Sequence, residues 1–209
     1  MGLFVGLTGG IASGKSTAAQ FLSAQNIPVI DTDLISRELV EPGQPCLNKL
    51  YQHFGPEILT SDGRLNRKAL REKIFSDPSA RDALEAILHP EIRRVAKERA
   101  GESATQAPYV LIVVPLLADP KVYPHYQWLD YVVGVRATPS IQKARLIERP
   151  GIDSALAEQM IAAQSSDRER DAIVNEWIVN TGDLPALARQ VDRCHHKLLM
   201  LAAERASSE

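Results

Sequence analysis

A glycine-rich loop near the start of the chain limits the possible folds more than any other feature. Gly9 is followed by four residues and then by Gly14, Lys15 and Ser16, in the pattern G-x-x-x-x-G-K-[ST]. The apolar run 3–7 before the loop predicts a buried strand, and the segment after it has the apolar spacing of a helix. Strand, loop and helix in this order are the context in which the motif binds a nucleoside triphosphate.

The residue types in the loop suit phosphate binding. Glycines let the backbone approach a ligand closely, and the following helix N-terminus adds partial positive charge. The Lys15 ammonium can reach the β- and γ-phosphates, and the Ser16 hydroxyl can ligate Mg²⁺. The residues expected to contact the triphosphate are Gly10, Ile11, Ala12, Ser13, Gly14, Lys15, Ser16 and Thr17.

Composition excludes several classes of protein. A length of 209 residues, 44% hydrophobic and 24% charged, suits one α/β domain with insertions. A net charge of -2 argues against a general nucleic-acid binder. Cys46 and Cys194 are far apart and form no C-x-x-C pair, which favours a reducing compartment. Because residues 3–7 are too short for a signal peptide and no run approaches a membrane span, we expect a cytoplasmic protein without a membrane partner.

The rest of the chain alternates between apolar runs and helical segments. Further strands are predicted at residues 27–30, 109–114, 131–135 and 177–179. Between the second and third strands the sequence predicts helices, with an interruption where Pro90 follows His89. The expected fold is therefore α/β: a doubly wound, parallel, five-stranded sheet with a helical insertion and an arginine-bearing lid.

Two carboxylates follow the second predicted strand. Asp31 and Asp33 are expected to face the crevice at the carboxyl end of the sheet. Asp33 could instead cap the next helix, and Asp31 could be a strand-end acid with satisfied hydrogen bonds. His89, beside Pro90, is either a ligand contact or a structural histidine at a kink.

Arginines cluster late in the chain. Arg145 and Arg149 are four residues apart, which predicts that both lie on one face of a helix running to about residue 149. Arg168 and Arg170 follow a Pro-Gly break and a further helix. The pattern is typical of a mobile lid that brings cations to a phosphate, and the alternative is a solvated charged face.

Three classes of function compete at this point. A GTPase switch would need an Asn-Lys-x-Asp motif. Residues 48–51 read Asn-Lys-Leu-Tyr, with Tyr in place of the required acid. A nucleotide-binding regulatory module would need neither a second-substrate domain nor a lid nor a base. A small-molecule kinase needs all three, and the chain has candidates for each.

The sequence resembles dephospho-CoA kinases along nearly its whole length. The resemblance is carried by short motifs in order: LTGGIASGKST at 7–17, VIDTD at 29–33, VEPG at 40–43, DGRLNR at 62–67, LHPEI at 88–92, VPLL at 114–117, RLIER at 145–149, AAQ at 162–164 and NTG at 180–182. The resemblance implies transfer of the ATP γ-phosphate, with Mg²⁺, to the ribose 3′-hydroxyl of dephospho-CoA, giving CoA and ADP.

The resemblance also implies roles for individual residues. Asp33 matches the general base, and Asn180 matches an adenine-contacting loop. Lys15, Arg145 and Arg149 complete the expected catalytic set. Thr8, Asp33, Arg64 and His89 are expected to bind the acceptor, and Ser16 and Asp31 the metal. Many relatives carry an Asp where this chain has Val113, and that Asp contributes a contact to Mg²⁺. In this chain the contact is therefore either absent or supplied by Asp31.

The domain boundaries follow from the same comparison. We expect a core built from residues 1–40, 107–149 and 174–209, a CoA-binding helical insertion at 41–106 and a lid at 150–173. The expected partners are ATP and dephospho-CoA, and the expected oligomeric state is a monomer. The alternative function is another P-loop small-molecule or nucleotide kinase, or a nucleotide-binding ATPase or switch.

Overall fold

The computed structural model describes residues 1–208. Within these residues, five strands form one parallel sheet in the order β2-β3-β1-β4-β5. The strands are Leu3–Gly9 (β1), Val29–Asp31 (β2), Tyr109–Val113 (β3), Tyr131–Arg136 (β4) and Glu176–Val179 (β5). The register places Leu7 opposite Val113 and Gly9 opposite Val135. The predicted α/β fold with a parallel five-stranded sheet is confirmed.

Helices connect the strands. They are Lys15–Ser23 (α1), Thr32–Glu38 (α2), Pro45–Phe54 (α3), Arg67–Ser76 (α4), Pro78–Ser103 (α5), Pro139–Ile147 (α6), Ser154–Ala162 (α7), Asp167–Asp171 (α8) and Leu184–Ser208 (α9). Among the described residues, none of these helices has both the length and the apolar character that crossing a bilayer requires.

The chain divides into two compact units. The first comprises Met1–Ile30 together with the chain from Ala100 onward, and the second comprises Asp31–Arg99. In the first unit, the sheet packs against α1 and α9, with Leu22, Leu111 and Leu198 completely buried. The second unit has its own core of Leu50, Ile58 and surrounding apolar residues. Each unit therefore has a hydrophobic core of its own.

Side-chain caps fix the starts of several helices. Asn66, Thr138 and Asp153 each accept a hydrogen bond from the backbone N–H three residues later, at 3.1, 3.4 and 2.8 Å. Asp183 does the same for α9, at 2.8 Å to the Ala186 nitrogen. These bonds satisfy N–H groups that have no partner within the helix.

The predicted interruption at Pro90 is wrong, because α5 runs through it. Pro90 lacks the N–H that would bond to the Ala86 carbonyl, yet both residues lie on the exposed side of the helix. On the opposite side, Leu84, Ile87 and Leu88 pack against the core of the second unit. Tertiary packing of this face outweighs the lost hydrogen bond, so the helix continues.

Candidate active site

The glycine-rich loop joins β1 to α1 and forms the start of the site. Gly14 is the N-cap of α1, with a left-handed φ of 98°. Because glycine has no side chain, the start of α1 has no side-chain cap. The first α1 backbone bond runs from the Ala18 nitrogen to the Gly14 oxygen, at 3.0 Å. The Ser16 and Thr17 amides, in the first turn of α1, are therefore placed where a helix N-terminus can bind an anion.

Four consecutive peptide groups of the loop each form a hydrogen bond with a side chain that is distant in sequence. All four side chains belong to the first compact unit. Gln164 Oε1 accepts from the Ile11 nitrogen at 2.7 Å, and Gln142 Nε2 donates to the Ile11 oxygen at 2.8 Å. Arg145 Nη1 donates to the Ala12 oxygen at 3.1 Å. Asn180 Nδ2 donates to the Ser13 oxygen at 2.8 Å. The shape of the loop is thus set by tertiary contacts as well as by glycine.

The held conformation includes one strained residue. Ala12 has a φ of 54°, in the left-handed region that non-glycine residues rarely adopt. Such a conformation persists only where surrounding bonds determine it. Here the Ala12 carbonyl is bound by Arg145, and the Ser13 nitrogen donates to the Gly10 oxygen at 3.2 Å.

Asn180 packs directly against the loop. It is 4% exposed, and its backbone nitrogen donates to the Arg136 oxygen at 2.7 Å. A Cβ at position 14 would overlap its side-chain amide, so Gly14 is required there by space as well as by φ. The predicted contact of Asn180 with ATP stays a prediction, while the structure gives this residue a supporting contact to the loop.

The two lid arginines occupy different environments. Arg145 lies in α6 and is partly buried, with its guanidinium on the loop. Helix α6 ends at Ile147, so the prediction that Arg149 shares its face is wrong. Arg149 is exposed in the turn that follows, where residues 147–153 line an open depression. Gly151 has a positive φ in this turn, a conformation that glycine adopts without strain.

Thr8 was expected to contact the acceptor. It is 1% exposed, and its hydroxyl donates to the Pro115 oxygen at 3.3 Å. In this structure Thr8 therefore links the end of β1 to the segment after β3, and a substrate contact stays a prediction.

In the second unit, Asp31 rather than Asp33 caps the helix that follows β2. Asp31 is the N-cap of α2, and its Oδ1 accepts from the Asp33 nitrogen at 2.8 Å. Asp33 lies in the first turn and is exposed, so capping of this helix by Asp33 is wrong. The carboxylate of Asp33 is thereby carried on a backbone fixed by Asp31.

Arg64 and His89 are both exposed residues of the second unit. Arg64 Nη1 lies 3.1 Å from Glu41 Oε2, and its Nε lies 3.3 Å from Asp62 Oδ2. These pairs hold the Arg64 side chain beside two carboxylates. His89 lies within α5 beside Pro90, and the helix continues on both sides of this pair.

The donor set suits a magnesium ion that arrives with its nucleotide. Among the described residues, no group of three or more His, Cys, Asp or Glu side chains could hold a metal. Mg²⁺ commonly keeps several waters and takes only one or two protein oxygens beside substrate phosphates. The exposed Ser16 hydroxyl, in the first turn of α1, is such an oxygen.

Buried titratable groups also lie away from the loop, between β3 and α9. The Tyr109 hydroxyl and His195 Nδ1 are 2.8 Å apart. Burial lowers the pKa of His195 and raises the pKa of Tyr109, so burial favours the neutral forms of both groups that share this hydrogen bond. Burial also raises the pKa of the Cys194 thiol to about 12. This packing indicates a structural role for His195.

The parallel sheet, the loop after β1 and the uncapped start of α1 together define a P-loop nucleoside-triphosphate-binding protein of the α/β class. Residues 3–186 match the family described as dephospho-CoA kinase. The chain therefore belongs to the dephospho-CoA kinase family, which confirms the resemblance found in its sequence.

Similar proteins cover nearly the whole chain. A dephospho-CoA kinase from Xylella fastidiosa (strain 9a5c) is 48% identical over 187 residues, which are 90% of this chain and 89% of that protein. One from Salmonella typhimurium is 43% identical over 205 residues, covering 98% and 97%. A crystal structure from Thermus thermophilus has a TM-score of 0.74 at 31% identity, covering 94% of this chain and 98% of that one.

Proposed function

We propose that the chain transfers the γ-phosphate of ATP to the ribose 3′-hydroxyl of dephospho-CoA, producing CoA and ADP. The observation that carries the proposal is the extent of the family match, which spans both compact units. A match limited to the glycine-rich loop would support nucleotide binding alone. Cytoplasmic location and a monomeric state, both expected from the sequence, belong to the same proposal.

The first unit is assigned the phosphate donor. The amides that begin α1, the Lys15 ammonium and the loop from Gly10 to Thr17 bind the triphosphate and neutralise its charge. Ser16 would hold Mg²⁺, which supplies charge neutralisation on the phosphates. Asn180 is assigned an adenine contact in addition to the bond that it makes with the loop.

The second unit is assigned the acceptor. Residues 41–106 form the proposed CoA-binding insertion, and Arg64 and His89 are its proposed acceptor contacts. Thr8, a residue of the first unit, is a further proposed contact. Asp33 accepts the proton of the 3′-hydroxyl as general base. Asp31 is a proposed metal ligand, and its contact with the Asp33 amide leaves its second oxygen for that role.

The lid, residues 150–173, and the two arginines that precede it are assigned to the transition state. Arg145 and Arg149 place positive charge near the transferred phosphoryl group, whose charge is spread over its oxygens. Closure of the lid excludes water, which would otherwise accept the phosphoryl group.

The decisive experiment measures ADP formation with different acceptors. Dephospho-CoA, AMP, adenosine, shikimate and no acceptor are compared at equal concentrations, and the product with dephospho-CoA is identified by mass. We expect strong stimulation by dephospho-CoA alone and a product heavier by one phosphoryl group. Stimulation by another alcohol would assign a different kinase activity, and turnover without any acceptor would assign an ATPase.

A further inference from the structure

Two glutamines hold the peptide groups on either side of Ile11, one as a hydrogen-bond acceptor and the other as a donor. The Ile11 nitrogen can only donate, so the atom of Gln164 that faces it, at 2.7 Å, is the amide oxygen. The Ile11 oxygen can only accept, so the atom of Gln142 that faces it, at 2.8 Å, is the amide nitrogen. Fixing both peptide planes beside one Cα fixes the φ and ψ of that residue.

The two glutamines come from different elements. Gln142 lies in the second turn of α6 and is 8% exposed. Gln164 follows α7, within the segment expected to form the lid, and Arg170 Nη2 lies 3.5 Å from its Oε1. The phosphate loop is therefore bonded to the core through one glutamine and to the lid segment through the other.

Space at Gly10 shows how closely the glutamines approach. A Cβ at this position would lie 2.5 Å from Gln142 Nε2 and 3.4 Å from Gln164 Oε1. The first distance is shorter than a carbon atom tolerates beside nitrogen. Gly10 thus leaves the space that the Gln142 amide needs to reach the Ile11 oxygen.

We propose that Gln142 and Gln164 are positioning residues for the phosphate donor. Together they set the conformation of the loop at Ile11, and Gln164 makes that conformation depend on the placement of the lid segment. The N–H of Ile11 stays with Gln164, and the amides of Gly14 to Thr17 bind the phosphates. The identity of the donor rests on the proposed function.

Paired charge substitutions test this proposal. Gln142→Glu removes the donor and sets a carboxylate oxygen against the Ile11 carbonyl, whereas Gln164→Glu keeps an acceptor for the Ile11 N–H, with Arg170 beside it. Both variants add one negative charge beside the same residue, so they are matched for charge. Gln142→Met and Gln164→Met remove each hydrogen bond without adding charge, and Gln127→Glu adds a charge at an exposed position after β3.

The measurements are the dissociation constant of a non-hydrolysable ATP analogue, the KM for each substrate and the Tm. We expect Gln142→Glu to weaken analogue binding about tenfold or more and Gln164→Glu about threefold at most, since only the first loses its hydrogen bond. Each Met variant should weaken binding roughly three- to tenfold. The KM for ATP should rise in the same order, while the KM for dephospho-CoA stays near that of the wild type.

Equal losses in the two Glu variants would overturn the proposal, because charge alone would then explain them. Unchanged or tighter analogue binding in the Met variants would also overturn it. A drop in Tm with both KM values unchanged would assign the glutamines a purely structural role. Failure of the proposed function is distinguishable, since it would appear as a wild-type protein that binds the analogue without phosphorylating dephospho-CoA.

Discussion

Asn180 donates a hydrogen bond from its side-chain amide to the carbonyl oxygen of Ser13, 167 residues earlier in the chain, at 2.8 Å. The same amide occupies the space that a side chain at position 14 would need. The turn after β5 therefore packs closely against the loop after β1. Substitutions in either segment should affect the other.

Replacing Asn180 should weaken the protein and its donor site together. Asn180→Ala leaves the buried Ser13 carbonyl without its partner, which should lower the free energy of unfolding by about 1–3 kcal/mol. The KM for ATP should rise because the loop loses one of its four side-chain contacts. Chemical denaturation and steady-state kinetics check the two effects, with exposed Asn48→Ala as the control. An unchanged KM for ATP would show that the other contacts suffice.

Gly14→Ala should be far more harmful than Gly43→Ala. Both glycines have a positive φ, of 98° and 88°, but nothing lies within 4 Å of a Cβ at Gly43. Gly43→Ala should therefore cost only the backbone penalty of about 1–2 kcal/mol. Gly14→Ala adds the overlap with Asn180 and should abolish ATP binding, as measured by calorimetric titration. Similar stability and binding in both variants would contradict the proposed fit.

Asp33→Asn and Asp31→Asn separate catalysis from capping. If Asp33 is the general base, Asp33→Asn should reduce kcat by roughly 10²–10⁴-fold with little change in Tm. Asn caps helices as well as Asp does, so Asp31→Asn should keep its stability. A rise in the Mg²⁺ concentration required by Asp31→Asn would support a metal contact. Near-normal turnover by Asp33→Asn would remove Asp33 from the role of base.

Substitution of Arg145 and substitution of Arg149 should change the steady-state kinetics in different ways. Arg145→Ala removes the bond to the Ala12 oxygen and a charge near the phosphates, so both the KM for ATP and kcat should deteriorate. Arg149 makes no described contact with the loop, and Arg149→Ala should lower kcat roughly 10²-fold with ATP affinity nearly unchanged. Initial-rate kinetics with nucleotide titration distinguish them. A loss of Tm alone in Arg149→Ala would mean that this arginine is structural.

The stability of the fold should fall below neutral pH partly through His195. Burial lowers its pKa in the folded protein, so the unfolded chain binds more protons as the pH falls from about 6.5. The contribution is complete above that pH and is lost as the pH falls through the lowered folded value. Urea unfolding at pH 7.5 and pH 5 should show a smaller difference for His195→Gln than for wild type. Substitution of the exposed His125 by Gln is the control, and an undiminished difference in His195→Gln would refute the assignment.

Local patterns predicted those parts of the structure that depend on neighbouring residues. The strand, the glycine loop and α1 follow from an apolar run, a motif and helical spacing, and the caps at Asn66, Thr138 and Asp153 follow from single residues. These features depend on bonds between positions a few residues apart. The end of α6 was placed about two residues too late, since helix ends are set by weak and competing local preferences.

The side chains that hold the loop could not be predicted in the same way. Gln142, Gln164 and Asn180 contact residues 131 to 167 positions away, and no periodicity encodes that proximity. Gln164 and Asn180 lay within motifs shared with dephospho-CoA kinases, but nothing in the pattern distinguished Gln142. The continuation of α5 through Pro90 had a similar cause, because packing of the whole helix outweighed a local signal.

The position of β1 has a consequence for biosynthesis. This strand is synthesised before the other four strands but lies in the middle of the sheet, between β3 and β4, and its loop is bonded to the much later Asn180. During synthesis, the carbonyl group of Ser13 therefore stays without the Asn180 contact until β5 and the turn after it have been made. A chain that ends before β5 would have a glycine loop held by fewer side chains.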